Sequence, residues 1–547
     1  MNKKAVALIL SALVSAAAAS PASLFDTQWI SRRFHPQTAE VRPIEGLSGR
    51  VQDGKLTLDL KTFLALFLKN STDIHIARLD VYTAADQTVA AKAPFDPALS
   101  LGYTTLRTVN PEYTQISGAS TLNSLDQNAT LAYQQVLPTG TTVTAGYTGT
   151  RISSNSAFNL FNPGLYGSLN ISIMQPLWQN RTGIVQRAPL KIAQTQLLIT
   201  SRQTEAHIAD LVAQAAGQYW DAIRARDNIK VLDQTWQLAQ KSYDRDKQAL
   251  DLGALASLDI YQSQTQLAQR RRDLVQAQYV YQASLDGLRR LIGADLNPEY
   301  REMEIVLEDD PGKLPEQHAI LPFKEALAEA ERLRPELEAA HRRLTVDDLN
   351  ARVARNLLTP QVNLTVQTSS NGLSGNSVAI AGPLGISTPA VSGSLGNTLG
   401  QILAFNYPSY GAGIQITLPV RGSTARAQLA DALVNRVRDR YSERAVEQQI
   451  IQDVKQALNS INLANATIQT AIRARDLAQK NVQAEQQKYE LGTITAFEML
   501  DSQSQLASSE SALLNAYIGY QQAWISYERA TWTLLDGLGM VLEKPKA

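Results

Sequence analysis

The sequence predicts an exported chain of mixed helix and strand, built from two copies of one unit. Three observations predict this α+β class. The first residues have the layout of a secretory signal, segments far apart match each other at a constant offset, and both copies contain a helical stretch longer than a compact domain needs. Together these features indicate a long structure outside the cytoplasm, with strands at one end of each helical part.

The composition excludes several classes of function. The 51 Lys and Arg residues equal the 51 Asp and Glu residues, so no basic surplus indicates nucleic acid as a partner. The absence of cysteine excludes disulfides, thiolate metal sites and cysteine nucleophiles. The five histidines lack metal-site spacing, and neither a nucleophile elbow nor a phosphate-cradling loop occurs. We therefore predict no catalytic residue, no cofactor and no metal.

Residues 1–22 are predicted to be a signal peptide. Lys3 and Lys4 precede an apolar run that ends near Ala19, and small residues follow. The alternative is a signal anchor, but the run is short and rich in alanine for a membrane span. No other stretch offers about 18 consecutive apolar residues. The mature chain is therefore expected to be either soluble outside the cytoplasm or a membrane β-barrel.

Gly253 and Gly492 are 239 positions apart and interrupt two similar helical patterns. The same offset pairs residues 238–241 with 477–480, residues 266–268 with 505–507, and Gly183 with Gly422. Composition bias gives matching alanines and glutamines, but it does not give a constant offset with matching glycines. The sequence therefore predicts a tandem duplication.

The duplication divides the chain into segments of equivalent order. These are an N-terminal extension (23–55), a first repeat (56–296), an acidic, proline-bearing linker or equatorial segment (297–322), a second repeat (323–540) and a C-terminal tail (541–547). Each repeat begins with a predicted helix, at about 58–93 and 323–357. Strands follow, and then a long helical hairpin with its tip near residue 253 or 492.

The strand segments alternate between apolar and small polar residues. In the first segment, Leu99, Leu101 and Tyr103 fall on one face, and Ser100, Gly102 and Thr104 fall on the other. This pattern suits a barrel with a wet lumen and a hydrocarbon exterior. An ordinary half-buried sheet has the same period of two, so the pattern alone leaves both open. An extra alternating pair at about 128–151 is either two further wall strands or a surface hairpin.

The long helical stretches have a coiled-coil rhythm and reverse at the matched glycines. From Gly183 to Gly253 is about 70 residues, or roughly 100 Å of helix, which suits a tube wall or a stalk. Glycine reaches left-handed backbone angles at little cost and often follows a helix end. Ser257 or Asp259 is expected to cap the returning helix in the first copy, and Thr495 in the second.

These features resemble the TolC family of outer-membrane efflux proteins, over about residues 56–539. The most specific matches are the duplication, the strand exits "SIMQPLWQN" and "GIQITLPVRG", and the tips "LGALASLD" and "YELGTITAFEMLD". The resemblance implies a membrane protein in which three protomers share one outer-membrane β-barrel, each giving four strands. It also implies that their helices continue the barrel as a periplasmic α-helical coiled-coil barrel.

The function that the resemblance implies is an exit duct of a tripartite efflux or type I secretion system. The duct would lie in the bacterial outer membrane, in contact with its lipid, and have a large periplasmic part. It would close at its periplasmic tip and open when a periplasmic adaptor (membrane fusion protein) and an inner-membrane pump of the RND, ABC or MFS type dock there. The transported substrate and the pump class are not indicated by the sequence.

The resemblance also implies roles for residues at the tips. Glu498 and Asp501 match acidic residues that ring the constriction, where three copies of each are expected to raise pKa values and attract cations. Asp259 and Tyr489 match a hydrogen-bonded gate latch between hairpins. The chain departs from the family at Leu258 and Ile494, the positions of a second latch. The candidates for the hairpin turn and adaptor docking are Leu252, Gly253, Leu255, Leu491, Gly492 and Ile494; the alternative for the apolar ones is packing within the turn.

Two other hypotheses remain beside the passive channel. A secreted or surface trimeric coiled-coil adhesin or stalk protein would use the strands as a small head and would dissolve without detergent. A periplasmic enzyme would need a scattered pair of acids to be catalytic. The channel, in contrast, predicts heat-modifiable behaviour in outer-membrane fractions.

Overall fold

A computed structural model describes residues 41–112, 119–156, 159–252, 260–313, 320–377, 392–491 and 493–537. The predicted signal peptide and the C-terminal tail lie outside these residues. Contacts divide the chain into residues 1–44 and residues 45–547, and the elements below belong to the second unit.

The elements of this unit follow each other in two similar series. The strands are β1 (Val51–Gln52), β2 (Lys55–Leu58), β3 (Ala98–Pro111), β4 (Thr121–Val136), β5 (Thr142–Ser154), β6 (Phe161–Pro176), β7 (Glu304–Leu307), β8 (Gln361–Ser377) and β9 (Tyr407–Thr417). The helices are α1 (Leu60–Asn70), α2 (Thr72–Ala90), α3 (Gly183–Asp251), α4 (Ile260–Leu291), α5 (Phe323–Leu333), α6 (Pro335–Asn356), α7 (Leu395–Leu403), α8 (Ser423–Glu490), α9 (Ala496–Thr531) and α10 (Leu534–Gly537).

The helix that opens each repeat is broken into two. The sequence predicts one helix over about 58–93 and one over about 323–357, but Ser71 separates α1 from α2, and Arg334 separates α5 from α6. Proline at position 335 explains the second break, because the residue before a proline is disfavoured in helical geometry; Arg334 has an extended ψ of 121°. Ser71 is likewise extended, with a ψ of 126°.

The larger sheet has six antiparallel strands in the order β3-β4-β5-β6-β8-β9. The extra alternating pair near 128–151 forms most of β4 and β5, which lie between β3 and β6. The sheet therefore has six strands, two more than the four barrel strands per protomer that the family resemblance implies. The added hairpin is made possible by a tight turn in which the Leu137 amide donates to the Thr141 carbonyl at 2.8 Å and Gly140 takes a φ of +87°.

The sheet has one apolar and one polar face, as the alternation predicts. A single row across β3 to β6 contains Leu101, Leu131, Tyr147 and Leu169 on the apolar face. The opposite face of the same strands contains small polar residues such as Thr130, Thr148 and Asn170. Nearly every residue of the two edge strands is exposed, whereas the residues of β5 are half-buried throughout. One chain therefore has two open sheet edges.

Helix α7 packs on the apolar face where the glycines of two neighbouring strands meet. Gly167 of β6 pairs with Gly372 of β8, and a Cβ on either would crowd Thr398 and Ile402 of the helix. Strand β9 begins opposite Asn371, so it does not reach the last six residues of β8. The side chain of Gln401 accepts a hydrogen bond from the Leu373 amide at 2.9 Å. Helix α7 thus covers the part of the β8 edge that β9 leaves open.

The helices form a wall of four columns. Helix α3 contacts α2 and α6 along its first part and α4 and α9 along its second part, while α8 contacts α6 and α9. The columns are therefore α2 followed by α4, then α3, then α6 followed by α9, and finally α8. With 69 and 68 residues, α3 and α8 are each about 100 Å long. In the part of the chain that the structure describes, no helix has the length and apolarity required to cross a bilayer.

Several of the largest fully buried side chains lie midway along α3, where a three-stranded sheet, β1-β2-β7, rests on the wall. Tyr219 is fully buried there and stacks on Phe63 with 5.4 Å between ring centroids. Its hydroxyl lies 2.7 Å from Asp309 Oδ2 and 3.0 Å from the Leu58 carbonyl oxygen. This middle region fixes the helices relative to one another.

Candidate gate at the hairpin ends

Two helical hairpins end side by side at the pole of the molecule opposite the sheet. Helix α3 ends at Asp251 and α4 begins at Ile260; α8 ends at Glu490 and α9 begins at Ala496. The chain therefore reverses at both predicted tips. Of the predicted tip residues, Gly253, Leu255, Leu258, Asp259 and Gly492 lie outside the described residues.

The second hairpin turn is closed by local hydrogen bonds. The Thr493 amide donates to the Lys488 carbonyl at 2.9 Å, which terminates α8. Thr495 begins α9 with a reciprocal capping box: the Glu498 amide donates to Thr495 Oγ1 at 3.3 Å, and the Thr495 amide donates to Glu498 Oε2 at 2.8 Å. The predicted cap at Thr495 is confirmed. The turn is thus specified by its own residues.

Tyr489 joins the second hairpin to the first. Its hydroxyl donates to Asp246 Oδ1 on α3 at 3.2 Å, and the Arg245 guanidinium lies 4.0 Å from the centre of its ring. Asp246 is buried, with 3% of its surface exposed. Burial, followed by the charge of Asp246, raises the pKa of the Tyr489 hydroxyl. We call Tyr489, Asp246 and Arg245 the Tyr489 clamp.

The clamp differs from the latch that the family resemblance implies. That latch pairs Tyr489 with Asp259, which is outside the described residues, so the pair stays a prediction. Asp246 and Arg245 were missed by the sequence reasoning. The helical spacing of Ala239, Ser242 and Asp246 could have indicated that Asp246 needs a partner. All three are buried, so an acid lies on the packed stripe of an amphipathic helix.

Glu498 and Asp501, the predicted acidic ring, are both exposed in the single chain. Hydrogen bonds from the Thr495 amide and then the Thr495 side chain lower the pKa of Glu498. Glu498 therefore stays ionised as a helix cap in one copy. Whether neighbouring copies raise its pKa depends on their approach, and the ring stays a prediction.

Large apolar side chains project from both hairpin ends. Leu252 is 84% exposed, Leu491 is 79% exposed and Phe497 is 58% exposed. Ile494 is half-buried. Packing within the turn therefore does not account for Leu252 or Leu491. Phe497, which the sequence reasoning did not select, belongs to the same apolar surface, and we call Leu252, Leu491 and Phe497 the tip patch.

The arrangement supports mechanical and electrostatic roles. Among the described residues, no group of three or more His, Asp or Glu side chains has the spacing of a metal site. The residues brought together are a part-buried tyrosine–aspartate contact, exposed acids and exposed apolar side chains. Such a set can hold two hairpins together, attract cations and bind an apolar partner surface.

Comparison with known proteins matches most of the chain. The family model described as outer membrane efflux protein matches residues 64–294 and 326–531. Outer membrane protein TolC of Escherichia coli is 23% identical over 340 residues, covering 61% of this chain and 64% of that protein. The toluene efflux pump outer membrane protein TtgC of Pseudomonas putida is 24% identical over 311 residues, covering 56% of each.

Among solved structures, the Campylobacter jejuni CmeC outer membrane channel is similar in fold. Its TM-score is 0.61 at 15% identity, over 87% of this chain and 86% of that chain. The sequence matches to TolC and TtgC span less than two thirds of the length of those relatives.

Proposed function

This chain belongs to the outer membrane efflux protein family, and from that premise we propose that it forms a trimeric exit duct in the bacterial outer membrane. The duct carries out no chemistry. An inner-membrane pump of the RND, ABC or MFS type moves the substrate, a periplasmic adaptor connects pump and duct, and the hairpin ends open and close the passage.

The observation that carries this proposal is the pair of open edges on the six-stranded sheet. Strands β3 and β9 expose almost all of their residues, including Leu101 at 79% and Ile414 at 64%. An unpaired edge is not tolerated in lipid, because its backbone amides and carbonyls find no water there. Copies of the chain remove the edges by sharing strands in one closed barrel.

The two outer columns of the helical wall are also uncovered in a single chain. Its outer columns expose apolar residues that nothing in the described part of one chain covers, among them Tyr279 and Val280 of α4 and Val434, Val437 and Tyr441 of α8. Side-by-side contact of the α2–α4 column of one copy with α8 of the next buries both sets: α2 lies level with Val434, Val437 and Tyr441, and α4 lies level with the tip-ward part of α8. Cyclic symmetry then closes a tube continuous with the barrel.

The proposed division of the chain follows the two series of elements. Repeat one covers residues 56–296, the equatorial linker 297–322 and repeat two 323–540. Two pairs of helices with similar lengths support this division. Helices α3 and α8 have 69 and 68 residues, and helices α4 and α9 have 32 and 36 residues. A tandem duplication of one unit explains these similar lengths.

The gate in this proposal is the ring of hairpin ends. The Tyr489 clamp holds two hairpins of one protomer together, and the predicted latch between Tyr489 and Asp259 is its family counterpart. Three copies of Glu498 and Asp501 give the aperture a negative charge that favours cations. Ile494, at a position of the second family latch, is half-buried and apolar, so it supplies no hydrogen bond or charge to such a latch.

Adaptor docking is assigned to the tip patch. Its exposed leucines and phenylalanine suit an apolar helical hairpin from the partner. One relative, TtgC, is named for toluene efflux, and we propose a small organic compound of that kind as the substrate class. The inner-membrane pump selects the substrate. The duct itself offers little selectivity, because the polar face of its sheet contains mainly small side chains.

Membrane fractionation followed by planar-bilayer recording tests the function. The duct predicts an outer-membrane protein that migrates as a heat-sensitive trimer and gives small, cation-preferring channels. Recovery as a soluble trimer with no channel activity would instead establish a stalk or adhesin. Alanine at both Glu498 and Asp501 is expected to abolish the cation preference, and unchanged conductance and preference would exclude the acidic ring.

A further inference from the structure

The β4–β5 hairpin lies in the middle of the larger sheet, between the strands that the family resemblance assigns to the barrel wall. We propose that this hairpin is part of the membrane wall, so that three copies of six strands close an 18-stranded barrel. The inference rests on the proposed trimeric duct. It differs from the expectation of four strands per protomer, which gives 12.

Backbone pairing is the first support, because the hairpin separates β3 from β6 along all of β3 and most of β6. Strand β4 pairs with β3 from Ala98 opposite Gln134 to Pro111 opposite Thr121. Strand β5 pairs with β6 over eleven consecutive residues, beginning with Thr142. A surface hairpin would leave β3 and β6 paired with each other, but here each has a hairpin strand as its neighbour.

The side-chain pattern continues through the hairpin without a change of face. Leu131 and Tyr147 lie in the same apolar row as Leu101 of β3 and Leu169 of β6. Within the six described strands, the only charged residues on the apolar face are Arg107 and Arg151, both near the end away from the helices. A wall that contacts hydrocarbon requires such an uninterrupted apolar band, with charges only at its border.

The turn of the hairpin is built into the junction between sheet and helices. A Cβ added to Gly140 would lie 2.9 Å from the Asn180 carbonyl oxygen, and one added to Gly183 would lie 2.7 Å from the Pro138 carbonyl oxygen. Thr141 Oγ1 donates to Gln175 Oε1 at 2.5 Å. The turn therefore packs tightly against the start of α3, as expected for a wall element rather than an appendage.

Strand polarity allows the edges to join. Six is an even number, so β3 leaves the helical side and β9 returns to it. An edge β9 of one copy and an edge β3 of the next therefore meet antiparallel, as all neighbours within the sheet do. Helix α7 covers the outer part of β8, so β9 remains available to the neighbouring copy along its eleven residues.

The strand number determines the width of the pore in the membrane. Six strands are too few for one copy to enclose water, because even eight leave a lumen that side chains nearly fill. Barrel diameter grows roughly in proportion to strand number, so 18 strands give a barrel about 1.5 times as wide as 12. The helical wall keeps four columns per copy. Twelve helical columns about 8–10 Å apart have a circumference of roughly 100–120 Å, close to that of 18 tilted strands, so the barrel and the helical tube have similar widths.

Single cysteine variants test the hairpin directly, because the natural chain contains no cysteine. The variants are Tyr147→Cys and Thr148→Cys on β5, with Leu169→Cys and Asn170→Cys on neighbouring β6 as matched controls. Purified trimers in lipid nanodiscs are treated with a water-soluble maleimide. We expect labelling at 148 and 170, and labelling more than about tenfold slower at 147 and 169, since hydrocarbon prevents formation of the reactive thiolate.

The controls separate the two proposals. Alternation at 169 and 170 together with equal, fast labelling at 147 and 148 would overturn the wall role of the hairpin and leave the duct intact. Equal labelling at 169 and 170 would overturn the membrane barrel itself. A density map of the same nanodisc sample, in which the strands are counted, gives a second reading: 18 supports the inference, and 12 contradicts it.

Discussion

Two tyrosine–aspartate hydrogen bonds in this chain have the same chemistry and different surroundings. In the middle of the helical wall, the Tyr219 hydroxyl lies 2.7 Å from Asp309 Oδ2, stacked on Phe63 and edge-on to Trp220. At the hairpin ends, the Tyr489 hydroxyl lies 3.2 Å from Asp246 Oδ1, with an exposed arginine over its ring. Tyr219 is fully buried, and Tyr489 is half-buried.

The difference in burial indicates that the middle of the helical wall is rigid and that the hairpin ends can move. The middle contact is one of many in a packed core, so its loss is felt throughout the wall. The end contact joins two hairpins beside a second turn that is closed by its own capping box. A gate requires this combination, since the ends must separate while the middle keeps its arrangement.

The largest effect is expected from Tyr219→Ala in the middle region. The substitution removes a buried ring and one of two donors to Asp309 Oδ2, which keeps the Leu60 amide. Large-to-small changes of an aromatic core residue cost about 3–5 kcal/mol. Chemical unfolding in detergent, followed by circular dichroism, measures the loss. A cost near zero would show that the middle is no more rigid than the ends.

Arg529→Ala tests the ionic part of the middle region. Arg529 is 12% exposed and binds Asp210 at 2.6 Å and Glu336 at 2.7 Å. Asp210 is 48% exposed and Glu336 keeps its contact with Arg334, so losing the Arg529 hydrogen bonds is expected to cost about 1–3 kcal/mol. An exposed pair contributes about 0–1 kcal/mol. Lys55→Ala, which removes the exposed pair with Glu304, is the matched control. If the two variants lost equal amounts of unfolding free energy, the Arg529 ion pairs would not be what makes the middle region rigid.

A third carboxylate shows what a buried aspartate does without a tyrosine donor. Asp347 is 7% exposed, and burial followed by the charge of Asp439 raises its pKa from 3.8 to about 6. Its oxygen Oδ2 has no hydrogen-bond partner among the described residues. The folded chain keeps this proton to a higher pH than the unfolded chain does, so the contribution to stability is lost as pH rises from about 4 to about 6.

Asp347→Asn removes this titration. The variant is therefore expected to gain stability over the natural chain between pH 4 and pH 6 and to keep a constant advantage above that window. Thermal unfolding at a series of pH values measures the difference. An advantage that does not change with pH would show that the Asp347 carboxyl does not titrate in this range.

The smallest effect is expected from Thr495→Ala at the second turn. It removes the hydroxyl of the capping box, and N-cap losses cost about 1 kcal/mol. The effect should be local: faster amide exchange at the start of α9, with unchanged exchange around Tyr219. Exchange that rises in both places would contradict the separation of the two regions.

Much of the fold follows from the sequence because it depends on local patterns. Alternation predicts the faces of the strands, the matched glycines predict both reversals, and Thr495 predicts a helix start. The number of strands per protomer was not fixed by pattern, since the residues near 128–151 alternate equally well in a wall or in a surface hairpin. Their pairing with β3 and β6 is a contact between distant segments, which the alternation does not encode.

The candidate gate was less predictable because its contacts join residues far apart in the chain. Tyr489 and Asp246 are separated by 243 positions. The sequence resemblance directed attention to Asp259, near the tip, while the described partner lies on α3 before the tip. A buried acid on an apolar stripe gives a hint of a partner, but not its identity, because many donors on other helices satisfy the same carboxylate.

The most direct test of the account is single-channel conductance of Tyr489→Phe beside Tyr219→Phe. Each variant removes one hydroxyl from one tyrosine–aspartate bond and keeps the ring. The account predicts that Tyr489→Phe opens more widely or more often than the unsubstituted channel. It predicts that Tyr219→Phe has the same conductance as the unsubstituted channel and a lower free energy of unfolding. Natural conductance in Tyr489→Phe, or increased conductance only in Tyr219→Phe, would contradict a gate at the hairpin ends.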